Sequence, residues 1–167
     1  MEQKKIQKIN LFNLVFESNT PVVLTQSNNI YTKFLGCLIK RGNKVAAKTL
    51  LESLTVILFK NFKKKVFSSF FKGLFIKLDT FVEVKKIKIR RKAHTIPFPI
   101  VLNRRYFLIV NWLIQSVKMD KTNVSFTQKL SREVSNVLTK GKSTPVSFKR
   151  QNDSQAFLNR SNSNFRW

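Results

Sequence analysis

The chain has 167 residues, enough for one domain with short tails; 43% are apolar, including 16 Phe, so a sizeable Phe-rich core can form. Against this stand 32 Lys and Arg and only 8 Asp and Glu, a formal net charge of +24, whose self-repulsion opposes compaction unless a polyanion, an anionic membrane surface or an acidic partner neutralises it. Cys37 is the single cysteine, which excludes an intrachain disulfide, and with His94 as the only other soft ligand a protein-made zinc site is not expected.

Met1 to Gln26 read as a basic N-terminal arm ending near Pro21. Its start, MEQKKIQKINLF, holds Glu2 and no Arg, unlike an Arg-rich, acid-poor transit peptide, and predicts a chain without a presequence. In SNNIYTKFLGCLIKRGN, Ile30, Phe34, Leu35, Leu38 and Ile39 share one helical face, with Ser27 or Asn28 as the cap and Gly42 with Asn43 as a left-handed stop. A second helix over Lys44 to Phe62 carries Ala47, Leu50, Leu51, Leu54, Ile57 and Leu58. A third, Val66 to Leu78, repeats the pattern with Phe67, Phe70, Phe71, Leu74 and Phe75, although Gly73 weakens it.

VEVKKIKIRRKAHTIPFPIV, Val82 to Val101, predicts a two-stranded arm. Lys86, Lys88 and Arg90 share one face and Ile87 and Ile89 the other, while Val82 and Val84 have the opposite parity to the isoleucines. A bulge near Lys85 is therefore expected. Pro97 and Pro99 lie two apart, so their missing N–H groups fall on one edge, which must be the unpaired one, leaving Ile96, Phe98 and Ile100 to pair. A fourth helix follows in NRRYFLIVNWLIQSVK, apolar nearly all round, with Asn103 as its cap. A fifth lies in TNVSFTQKLSREVSNVLTKG, with Ser125 and Gln128 at capping-box spacing, a stripe of Phe126, Leu130, Val134, Val137 and Leu138, and Gly141 as its stop. A poorer helix, Ser147 to Arg160, leads into SNSNFRW. The fold class is mainly α: about six helices in one domain, 27–160, with the hairpin 82–101 between the third and fourth, and a tail over 161–167. No apolar run approaches the ~18–20 residues of a membrane span.

An isolated hairpin is marginal in water, and like charges on this one make it worse. A polyphosphate touching Lys86, Lys88, Arg90, Arg91 and Lys92 resolves both problems; a solvated hairpin with lysine-protected edges is the competing interpretation. Arg104 and Arg105 fall in the first turn of the fourth helix, where the dipole disfavours cations and a bound anion would offset the cost. Lys142, Lys149 and Arg150 add charge near the other end, and His94, at the expected hairpin tip, suits a stacking or phosphate contact better than a base. The eight acids are scattered and the four glycines form no phosphate loop, so catalysis and cofactors are not expected.

Three stretches together resemble a known family, small ribosomal subunit protein seven in its bacterial and organellar forms. KFLGCLIKRGNKVAAKTLLESL is similar to the family's helix–Gly-Lys-Lys–helix region, the Val82 block with NRRYFLIVNWLIQSVK to its arm, double Arg and Trp-bearing helix, and NRSNSNFRW to its aromatic-Arg-Trp terminus. The resemblance implies a six-helix domain with a hairpin in the head of the small subunit, binding the 3′ major domain of small-subunit rRNA early in head assembly, among neighbouring ribosomal proteins. It implies RNA contact at Lys44, Lys85, Lys86, Lys88, Arg90, Arg91, Arg104 and Arg105, and a place near the tRNA and mRNA exit site for His94, Arg166 and Trp167. The chain departs from the pattern at Gly42-Asn43-Lys44, at the tip residues Lys92-Ala93-His94-Thr95, and at Asn162, where an aromatic is expected.

Lys outnumbers Arg 23 to 9. Together with the abundance of Phe, Ile and Asn, this bias points to an AT-rich coding genome, such as an organelle's. A mitochondrial ribosome is the expected location, with a plastid or bacterial cytoplasm as alternatives. Two other functions compete: a DNA-binding architectural or regulatory protein using the ribbon in a groove, and a membrane-surface protein with basic amphipathic helices. Cations alternating with isoleucines favour a groove or RNA-backbone binder over the second, and the lack of paired reading heads disfavours palindromic DNA.

Overall fold

Proline suits the first position of a helix, because its fixed φ is already helical and its missing N–H has no intrahelical partner there. Helix α1 accordingly spans Pro21–Leu38, beginning at the proline rather than at Ser27 or Asn28. The structure, a computed structural model, describes residues 21–62, 67–89, 91–139 and 141–165, with side chains described except at 21–29, 67–69 and 89. The remaining helices are α2 (Lys44–Phe62), α3 (Phe67–Leu78), α4 (Leu102–Met119), α5 (Phe126–Thr139) and α6 (Thr144–Leu158), followed by a 3-10 segment, Arg160–Phe165. Strands β1 (Val82–Ile89) and β2 (Lys92–Pro99) form an antiparallel pair between α3 and α4. The mainly α architecture with a hairpin between the third and fourth helices is the one expected.

Two compact units divide between Gly73 and Leu74. In the first, α1 packs on α2. Phe34 is fully buried and meets the edge of Phe71 at 5.4 Å, while Phe70 lies 5.8 Å from Phe59 and 5.6 Å from Phe62. Such aromatic pairs contribute about 0.5–1.5 kcal/mol each beyond the area they bury. Ala47, Leu51, Leu54 and Leu58, at spacings of four, three and four, form the buried line of α2. Cys37 is half-buried, and burial pushes its thiol up, away from the reactive thiolate.

The link between α1 and α2 departs from expectation in a useful way. Arg41 (φ 51°) and Gly42 (φ 76°) are both left-handed, which stops α1; the non-glycine residue there costs about 1–2 kcal/mol. Asn43 does not share that stop. It caps α2 instead, its Oδ1 accepting the Ala46 N–H at 3.0 Å.

In the second unit, α4 buries Tyr106, Leu108, Ile109, Val110, Trp112, Leu113, Ile114 and Val117, nearly its whole circumference, and packs against α5 and α6. Asn103 does not cap it: Val101 is the cap residue, extended and without a side-chain bond. Helix α5 buries Leu130, Val134 and Val137 along the expected stripe. Ser125 caps it, with the Gln128 N–H 3.4 Å from Ser125 Oγ. At its end Gly141 (φ 63°) donates its N–H to Asn136 O at 3.1 Å, and Lys77 Nζ donates to Val137 O and Leu138 O at 2.9 and 2.6 Å. A cation on the last carbonyls of a helix is favourable for its dipole. The sixth helix starts at Thr144 with Pro145 in its first turn, three residues before the expected start.

The hairpin register runs unbroken from Val82↔Pro99 to Ile89↔Lys92. The bulge expected near Lys85 is therefore absent. The premise behind it, that only one face of the ribbon could be covered, does not hold. At the base both faces are covered: Pro97 is buried on the face of Val82 and Val84, and Ile96 is fully buried on the other. The turn also lies elsewhere, around Arg91, and Lys92-Ala93-His94-Thr95 run inside β2.

Replacing Asn43 with Ala removes the α2 cap and is expected to lower unfolding free energy by ~1 kcal/mol, read as a lower denaturant midpoint at unchanged slope. An unchanged midpoint would show that the Asn43 bond contributes nothing.

Candidate nucleic-acid interface

In an antiparallel pair, opposed residues alternate between exchanging backbone hydrogen bonds and turning them outward. Ile100 donates to Phe81 O at 3.1 Å, which makes Val82↔Pro99 and Val84↔Pro97 outward-facing pairs and Glu83↔Phe98 and Lys85↔Ile96 bonded ones. Both prolines thus place their missing N–H on the outer edge of β2, as the sequence required.

The outer edges are not bare. Asn152, on α6, donates through Nδ2 to Val82 O at 2.7 Å and accepts the Val84 N–H on Oδ1 at 3.4 Å. On the opposite edge Asn162, in the 3-10 segment, donates to Thr95 O at 3.0 Å. Thr80, buried just before β1, donates its hydroxyl to Asp153 Oδ1 at 2.9 Å. His94 pairs across to Ile87 and faces Phe165 at 5.2 Å. It is not at the tip. None of these braces was legible as such in sequence, since Asn152, Asp153 and Asn162 lie in a polar C-terminal stretch with no spacing that marks a strand partner.

The double Arg has a different environment from the one expected. Arg104 grips Glu83 through both arms, Nε to Oε2 at 2.9 Å and Nη2 to Oε1 at 2.6 Å. Arg105 Nη1 donates to Asp79 Oδ2 at 3.2 Å, and its guanidinium lies 4.2 Å from the Phe81 ring centroid. The anions that offset the cost of cations at the start of α4 are thus the chain's own carboxylates. Glu83, the one acid in the Val82 block, was the available signal. The Arg104 hydrogen bond holds the Glu83 carboxyl below the usual carboxylate range, and Glu83 in turn raises Arg104. Arg104 keeps 43% side-chain exposure against 20% for Arg105, so only the former can readily be shared with an outside anion.

Beyond the braced base the ribbon is cationic and exposed. Lys85, Lys86, Lys88, Arg91 and Lys92 are all exposed, and among the described residues no carboxylate pairs with them. Lys86 and Lys88 share a face with Ala93 and Thr95, while Lys85 and Lys92 lie on the other, with Lys85 Nζ 5.5 Å over Phe98. Positive charge therefore lines both faces. Lys142 and Arg150 are exposed in the same unit, but Lys149 Nζ donates to Lys77 O at 3.1 Å, at the C-terminal end of α3. Lys44 opens α2 in the first unit, exposed and next to the Asn43 cap. Arg90, Arg166 and Trp167 lie outside the described residues. Among the described residues no cluster of three or more His, Cys, Asp or Glu could hold a metal ion, and no helix is long and apolar enough to cross a membrane.

A helical body carrying a basic ribbon is what the sequence resemblance led one to expect, and the comparison with known proteins decides the family. Residues 4–160 match the family described as ribosomal protein S7p/S5e. The chain belongs to that family. It is 24% identical over 158 residues to small ribosomal subunit protein uS7m of Reclinomonas americana, covering 92% of this chain and 96% of that protein. It is 23% identical over 142 residues to small ribosomal subunit protein uS7 of Thermomicrobium roseum, covering 84% and 88%. Membership supports a structural role in the small ribosomal subunit, in a family that is structural rather than enzymatic and binds rRNA and ribosomal proteins.

Because the Glu83 carboxyl titrates lower in the folded chain, its pairing with Arg104 contributes fully above the ordinary Glu range, about 4.3, and is lost as pH falls through the lower folded value. Glu83→Gln is expected to flatten that part of the acid limb of stability, measured by denaturant unfolding between about pH 5 and 2. An acid limb identical to that of the unaltered chain would remove the pair from the account.

Proposed function

We propose that the protein binds the 3′ major domain of small-subunit rRNA through its ribbon and organises assembly of the subunit head, in a mitochondrial ribosome. The carrying observation is the exposed, carboxylate-free set Lys85, Lys86, Lys88, Arg91 and Lys92 on a ribbon whose acids are committed to its base. Cations on both faces suit a ribbon surrounded by phosphate rather than one laid on a flat lipid surface. Lys142 and Arg150 extend the contact within the second unit, and Lys44 supplies one from the first. Arg104 is shared between Glu83 and phosphate, whereas Arg105 and Lys149 act by holding the fold. Arg90, by its place in the sequence, joins the contact set. His94, Arg166 and Trp167 lie near the tRNA and mRNA exit site, by position in the family pattern. The mitochondrial assignment is supported by the AT-rich coding bias and by the likeness to a uS7m protein.

Each phosphate neutralised releases condensed counterions, so roughly 6–10 contacts make affinity for an rRNA fragment fall by about 10³–10⁵ between 50 and 200 mM salt. Replacing Lys86, Lys88 and Arg91 together with Ala is expected to cut affinity and shallow the salt slope by about two to three contacts, with the helical circular dichroism unchanged. Equal binding by the triple variant, or equal affinity for duplex DNA of the same length, would overturn the proposal. In cell extracts the protein should sediment with small subunits through a high-salt wash.

A further inference from the structure

A two-stranded hairpin is marginal by itself, and this one adds like-charge repulsion, yet its base is packed and bonded without any third strand. We propose that the C-terminal segment supplies two strand surrogates, Asn152 and Asn162, as positioning residues that order the ribbon in the free chain before RNA is met. The consequence for binding rests on the RNA function above; the ordering itself does not.

The two edges need different partners, and each has the one it needs. Flanking Glu83 on β1, the Val82 carbonyl and the Val84 N–H face outward, and the Thr80 hydroxyl also reaches that carbonyl at 3.2 Å. A carboxamide carries an acceptor and donors in a single planar group, like a backbone peptide, and Asn152 meets both at 2.7 and 3.4 Å. On β2 the prolines have removed donors from the edge, so what remains near them is an acceptor in want of a donor. Asn162 presents its Nδ2 to Thr95 O at 3.0 Å. Both are neutral. A lysine or arginine could serve Thr95 O, but only by adding another positive charge beside Lys86, the residue opposite Thr95. Further contacts hold the surrogates: Thr80 to Asp153 at 2.9 Å anchors α6 beside Asn152, and the 5.2 Å pairing of His94 with Phe165 seats the 3-10 segment beyond Asn162. Lys88, Arg91 and Lys92 lie outward of this clamp. Ordering therefore costs nothing further when RNA binds, which is the gain from a rigid, pre-formed binder.

The test uses the full chain with Asn152→Leu and Asn162→Leu, singly and together, similar in size but without hydrogen-bonding groups. In the RNA-free protein, amide exchange of β1 and β2 is expected to accelerate at least tenfold in the double variant, with α4 and α5 protection unchanged. Affinity for a 3′ major domain rRNA transcript is expected to fall on the order of ten- to hundredfold at every salt concentration, through loss of three hydrogen bonds. The salt slope should stay the same, because the phosphates contacted are the same. A role in direct RNA contact would lower affinity while leaving β1 and β2 exchange in the RNA-free protein unchanged, and would overturn the inference. So would ribbon amides unprotected in the unaltered free chain, or equally protected in the double variant. Should the leucine pair unfold α4 and α5 as well, Asn152→Ala and Asn162→Ala remove the amides without adding bulk or charge and carry the same expectations. If the unaltered chain ignores rRNA, the functional proposal falls, while the exchange measurement still decides this one.

Discussion

Two strands carrying like charge repel one another, and with no third strand each has an outer edge of peptide groups facing away from its partner. The rest of the second unit is organised around that problem. A ribbon cannot both stay cationic and be stabilised by carboxylates along its length, because they would cancel the charge it presents. The chain confines its carboxylates to the root. Glu83, within β1, turns to Arg104, and Asp79, before the strand, to Arg105. Asp153 accepts from Thr80. Beyond that point the edge contacts are neutral amides, and the outer part carries uncompensated Lys and Arg.

This division explains why the double Arg has two descriptions that looked exclusive. A pair of arginines opening a helix without a side-chain cap is unfavourable for the dipole, and an outside anion is one remedy. The structure uses an inside one, which also ties α4 to β1. A bidentate Arg–carboxylate pair is directional, so Arg104 and Glu83 join the two elements in a defined geometry as well as pairing charge. The charge left unpaired is then found farther out, where no carboxylate of the described residues competes for it.

The same economy recurs away from the ribbon. Asn43 replaces an expected cation and caps α2. Asn162 replaces an expected aromatic and meets a strand edge. Lys77 and Lys149 spend their ammonium groups on helix-end carbonyls. In a chain of +24, neutral amides at structural positions limit internal repulsion, and lysines at helix ends turn some of that excess into fold stability.

Local pattern alone determined much of this protein. The 3.6-residue spacing of Leu and Phe marked α2 to within its ends, the apolar circumference of α4 marked it as buried, and the two prolines of β2 correctly assigned its free edge, because a missing N–H is a local fact with only one tolerable placement. The excess of cations over acids on the ribbon was equally plain, and with it the expectation of a polyanionic partner. Tertiary structure alone decided which cations are free. Whether Arg104 faces phosphate or Glu83, whether Lys149 is a contact or a cap, and whether Val82 and Ile96 can both be covered depends on residues some twenty to seventy positions away. Side-chain amides and guanidinium groups bond equally well to many partners, so their roles follow from what the fold brings within 3 Å, which no spacing in the sequence encodes.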